Sequence, residues 1–151
     1  MCFSCLLASL FAEMIWVRNV WGIVGGADAR LSLRVARLSS EVFLWYAAES
    51  REGRHHTIVQ SLEPSMLGSA AKPRCKLHGA ETNALLEFSV SLIHRHSAHL
   101  LQHDQWQRAA IGLVKLKNLI KAHTGHWPAA LIQDSSILCC CCSMLGNLSR
   151  K

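Results

Sequence analysis

In the stretch TNALLEFSVSLIHRHSAHLLQHDQWQRAAIGLVKLKNLIKA, Thr82 to Ala122, apolar residues return every three or four positions. Leu86, Val90, Ile93, Ser97 and Leu100 alternate steps of four and three, which places them on one face of a helix opened by Thr82. Asp104 offers a fresh N-cap, and Gln107 three residues on makes a relative of the capping box. Trp106, Ala109, Leu113, Leu116 and Ile120 form the next stripe, closed by Gly125 and Pro128. The spacing predicts two helices, about 82–102 and 105–123, folded as an αα-hairpin. One long bent helix is the alternative, because no Gly or Pro marks the turn.

The first third of the chain reads as a helical pair, residues 1–51. Leu7, Leu10, Met14, Val17, Trp21 and Val24 share one helical face, and Gly25-Gly26 ends that run. Asp28 caps a second helix whose apolar stripe is Leu31, Val35, Leu38, Val42 and Trp45. Arg30, Arg34 and Arg37 fall on another face, with Glu41 placed four after Arg37 as a favourable pair, and Gly53 stops the helix. Residues 52–80 hold Pro64, Gly68, Pro73 and Gly79 and read as a connector that divides two helical halves. The C-terminal part, 81–151, is the hairpin plus a Cys-rich terminal helix over 128–145, with Pro128 at its first position and Gly146 beyond its end.

The expected fold is therefore all-α, with four to five amphipathic helices. The helix pairs resemble α-solenoid units in architecture, but two pairs are fewer than the three such arrays need.

Half of the 151 residues are hydrophobic, enough for a core. Only 17% are charged, against roughly 25% in an ordinary domain, which excludes a disordered tail and points to a partner, an oligomer or a membrane surface. The net charge of +6 is spread thinly with no Lys/Arg block, which disfavours nucleic acid as a partner. The apolar N-terminal run has no preceding Lys or Arg, unlike a signal peptide, and Glu13, Arg18 and Asn19 argue against a membrane span.

Seven cysteines, four of them adjacent at Cys139–Cys142, make a poor disulfide framework, since neighbouring Cα atoms lie only about 3.8 Å apart. They point to a reducing, cytoplasmic setting, and Asn147-Leu148-Ser149 would be glycosylated only in a secreted chain. Four consecutive thiols cannot converge on one zinc ion. Packing as small hydrophobes is the plain reading of the run. Lipidation of Cys139, Cys140, Cys141 and Cys142, beside an apolar stretch and near Arg150-Lys151, is the functional one.

His99 and His103 have the i, i+4 spacing of helical metal ligands, with Asp104 adjacent, but the glutamate of a His-Glu-x-x-His site is missing. As surface residues of an amphipathic helix they need no ligand. Ile23-Val24-Gly25-Gly26 matches the start of an activated trypsin-like protease, yet no Gly-Asp-Ser-Gly-Gly stretch follows. Phosphate-loop, dinucleotide and nucleophile-elbow spacings are absent as well, and no cofactor is implied.

The expected function is a non-catalytic helical protein–protein interaction module, or a fragment of a larger helical scaffold, bound to a protein partner or to itself as a homo-oligomer. Trp106, Leu113, Leu116 and Ile120 would be its core or interface seam, with Trp16, Trp21 and Trp127 as anchors. The rival is a membrane-associated protein held by its apolar N-terminus or by acylated Cys139–Cys142. A truncated or spurious reading frame would share this composition, and a cooperative unfolding transition distinguishes a folded domain from it.

Overall fold

The structure, a computed structural model, describes residues 3–122. These form α1 (Phe3–Ala12), a π-helical turn continuous with it (Glu13–Val17), α2 (Ala27–Arg51), a one-turn α3 (Pro64–Leu67), α4 (Gly79–Arg95) and α5 (His103–Ala122). Among the described residues the class is all-α, and the terminal helix expected over 128–145 lies outside them.

The αα-hairpin forms, but its first arm ends at Arg95, well short of residue 102. Long-range partners stop it. His96 sets its Nε2 2.8 Å from Glu41 Oε1, and the Leu101 N–H donates to Glu13 Oε1 at 3.1 Å. Leu100 is buried in the turn, and Gln102 takes a positive φ of 56°, the left-handed conformation that reverses the chain without glycine. Caps also shift by a few residues. Helix α4 starts at Gly79, where Glu81 Oε2 accepts from the His78 N–H at 2.9 Å, so Thr82 sits within the first turn. Asp104 likewise lies inside the first turn of α5, on the favourable end of the helix dipole.

The first helix ends at Val17 rather than at Gly25-Gly26. Asn19 adopts φ 45°, and its side chain bonds both the N–H and the carbonyl of Ile23, a local alternative to helical bonding. Arg34 Nη1 donates to the Ile15 carbonyl at 2.6 Å and so satisfies one of the freed acceptors. Leu7, Leu10 and Met14 are buried as the periodicity predicts, whereas Val17, the last residue of the π turn, and Val24, beyond it, are exposed. Helix α2 starts at Ala27 with Gly26 in the N-cap position, so Asp28 is not its cap. Gly53, at φ 74°, follows its end as expected.

One buried cluster runs from Leu6 to Leu113. Leu7, Leu10 and Phe11 of α1 join one cluster with α4, whose Leu85, Leu86, Phe88, Leu92 and Ile93 are all fully buried, and Met14 and Ile15 of the π turn, which lies against α2, belong to the same cluster. Trp106 and Leu113 close it from α5, and Val35, Leu38 and Val42 from α2. Each such side chain contributes about 1.5–3 kcal/mol of burial. The 52–80 stretch joins the halves instead of dividing them: Val59 and Leu67 belong to the same cluster. Tyr46 Oη anchors it, donating to the Thr57 carbonyl at 3.1 Å. Gly68, at φ 78°, lies so close to the Lys72 carbonyl that any Cβ there would collide.

Within this apolar cluster Glu13 is buried at 5% exposure. Its Oε2 accepts from Trp106 Nε1 at 2.8 Å and its Oε1 from Leu101 N, while Arg18 Nε stands 3.9 Å away. Glu13→Ala leaves two donors without an acceptor and is expected to cost about 2–4 kcal/mol. Phe88→Ala, a cavity control, should cost about 3–5 kcal/mol. Urea unfolding of the full chain measures both, against a single cooperative wild-type transition. A Glu13→Ala midpoint equal to the wild type would remove the carboxylate from the account of the fold.

Candidate functional site

The start of α1, the loop after α2, the first turns of α4 and the last turns of α5 surround an open cleft of about 620 Å³. Phe3, Ala80, Ala84 and Ile120 supply its apolar part. Its polar wall is a network of ion pairs. Arg54 holds both oxygens of the nearly buried Glu49 at 2.5 Å and reaches Glu52 at 2.6 Å. His56 Nε2 lies 3.0 Å from Glu49 Oε2, its ring tilted over Trp45 with centroids 4.7 Å apart. Lys117 pairs with Glu87. The Arg54 hydrogen bonds, opposed by burial and helped by His56, hold the Glu49 carboxyl down at about 2.

Glu49, His56 and Glu87 bring one ligand atom each within 4.8 Å of one another, and two carboxylates with an imidazole are a donor set that zinc accepts. Both carboxylates already hold a cation, however. A divalent ion would have to displace Arg54 and Lys117 and then sit beside their charges. The arrangement is better suited to clamping α2, its following loop, α4 and α5 together than to binding metal. Its lining includes no Ser or Cys nucleophile among the described residues.

A second carboxylate hub lies at the hairpin turn. Glu41 Oε1 accepts from Trp21 Nε1 at 2.7 Å and faces His96, and its Oε2 accepts from Arg95 Nη1 at 2.8 Å. Trp21 meets His96 edge-on at 5.7 Å. Burial pushes the Glu41 carboxyl up, but hydrogen bonds from His96 and Trp21 and the charges of His96 and Arg95 together hold it below its ordinary value. Glu41 thus turns inward, away from the expected surface pair with Arg37.

The expected α5 seam runs from the core to the cleft. Trp106 and Leu113 are buried, Leu116 is half-buried against them, and Ile120 is 39% exposed in the cleft wall. Trp16 and Trp21 are half-buried against the same core. The one-face geometry expected for His99 and His103 is not formed: His99 lies in the 96–102 turn, and His103 opens α5 with its Nε2 2.9 Å from Asp104 Oδ1. Trp127 and Cys139–Cys142 lie outside the described residues.

The sequence reading gave Glu13 and Glu41 other roles and missed Glu49. Glu49 continues the stripe of Leu38, Val42 and Trp45, and a charge at such an inward position was the available signal. It also missed the outward face of α2, where Leu33, Phe43 and Leu44 stand 53%, 43% and 67% exposed.

No protein-family model, curated protein or solved structure matches the chain. No helix among the described residues is long and apolar enough to cross a membrane.

The Glu49–Arg54 pair predicts an acid-sensitive stability. The folded carboxyl titrates near about 2 against an ordinary value of 4.5, so its contribution is complete above pH 4.5 and lost as pH falls toward 2. Arg54→Met should lower the unfolding midpoint at neutral pH and flatten the acid limb of the stability curve. Part of that limb should persist, because Glu41 is shifted in the same direction. Superimposable acid limbs for variant and wild type would show that the pair contributes nothing.

Proposed function

We propose that the chain is a non-catalytic helical protein–protein interaction module, alone or as part of a larger helical scaffold, and that it docks through the outward face of α2. The observation that carries this reading is the exposure of Leu33, Phe43 and Leu44 on a helix whose opposite side, through Val35, Leu38 and Val42, is locked in the core. Single exposed apolar residues are ordinary. Three on one helix with exposed Ala36, Ala47 and Ala48 around them form a patch, and each large one gains about 1.5–3 kcal/mol when a partner covers it fully.

The α5 seam is less available, because Trp106 and Leu113 face inward. The membrane alternative loses one of its two supports, since the apolar residues of α1 are packed in the core. Its other support is the cysteine run.

Leu33→Ser/Leu44→Ser in the tagged full chain should leave the unfolding midpoint within a few degrees of wild type and abolish the set of proteins that co-purify with the wild type. An unchanged set would end the assignment to α2. Fractionation of the tagged chain from cells should place it in the supernatant after alkaline carbonate. Carbonate-resistant protein released by hydroxylamine would instead mean thioester-linked lipid, and the membrane reading would take over.

A further inference from the structure

We infer that the outward face of α2 receives an acidic amphipathic helix from a partner protein, an inference that rests on the interaction reading above. The charge on that face is one-sided. Arg37 and Arg51 are exposed on it and Arg30 is half-exposed. From Ala29 to Arg51 the helix has two acids, Glu41 and Glu49, and both are turned away from solvent. Trp21, Arg95 and His96 hold the first, and Arg54 and His56 hold the second. What remains outside, among the described residues from Ala29 to Arg51, is an apolar strip with arginine at its middle and at its end and no exposed carboxylate; the exposed Glu52 just beyond it is paired with Arg54. Its complement is an apolar strip flanked by Asp and Glu.

A second copy of this chain is a poor occupant. It would set arginine faces against each other in a molecule of net charge +6. A lipid surface is also a poorer match than a helix. Exposed Ala36 and Ser40 lie between the larger Leu33 and Leu44, with Ala47 just beyond Leu44, and they leave a relief into which side chains of an apposed helix can seat. Lipid requires no such relief. The 25 residues of α2 extend about 37 Å, long enough to lie along several turns of a partner helix.

The test is photo-cross-linking in cells of the full chain carrying Ala47→p-benzoylphenylalanine, with sequencing of the cross-linked peptide. The expected product is a peptide of another protein with Asp or Glu flanking apolar residues spaced three and four apart. Its yield should fall about tenfold with Arg37→Glu/Arg51→Glu and recover with Arg37→Lys/Arg51→Lys. Thermal melts confirm that each variant is folded. A cross-linked protein segment without acidic residues, or one indifferent to charge reversal, overturns the acidic partner and leaves the interaction module standing. Cross-links only to this same chain, only to lipid, or to nothing overturn both.

Discussion

The structure depends on a carboxylate where hydrophobic pattern alone would place none. Glu13 sits at the junction of α1 and the π turn and is almost entirely buried, yet both its oxygens are occupied. One takes the indole N–H of Trp106, and the other takes the amide of Leu101 in the hairpin turn. An unpaired carboxylate in that place would be costly enough to unfold a marginal domain. With its partners in place it ties the end of α1 to Trp106 of α5 and to the hairpin turn. The π turn is part of the same constraint: the Arg18 N–H closes a bond to the Glu13 carbonyl at 2.8 Å and ends the helix at the residue whose side chain must face inward.

Glu41 and Glu49 extend the same device along α2. Glu41 gathers Trp21, Arg95 and His96, so it joins the loop after the π turn to the end of α4. Glu49 gathers Arg54 and His56 and folds the start of the long connection back onto α2. Glu13 and Glu41 tie their helices to segments distant in sequence, whereas Glu49 redirects the loop that directly follows its own helix. The apolar core supplies most of the driving force, while these hubs add specific polar contacts between its elements.

This division explains what could be read from the sequence. The stripes Leu38–Val42–Trp45 and Trp106–Ala109–Leu113 are local, and they located α2 and α5 with their inward faces. Gly53 marked the end of α2 because its requirement for positive φ is also local. The end of α4 was not legible. His96, Ser97 and Leu100 continue a helical period, and what breaks it is a pair of glutamates more than fifty residues away. Val59 and Leu67 read as connector for a related reason: their neighbours Pro64 and Gly68 are breakers, and burial of isolated residues in such a segment leaves no periodic trace. The helical spacing of His99 and His103 is not realised because α4 ends at Arg95 and α5 begins only at His103.

The inward use of Glu41 and Glu49 has a consequence for the opposite face of α2. An amphipathic surface helix ordinarily mixes both signs of charge on its solvent side, which keeps it soluble and unselective. Here the acids are committed to the interior, so Arg37 and Arg51 stand without acidic company beside Leu33, Phe43 and Leu44. Rigidity and selectivity then come from the same residues. The hubs that hold α2 in place also leave its outer face, among the described residues from Ala29 to Arg51, without exposed negative charge, so in the proposed reading a partner would meet a surface both fixed in position and of one sign. Preorganisation lowers the ordering cost of association, and the one-sided charge raises the encounter rate with acidic partners while repelling basic ones.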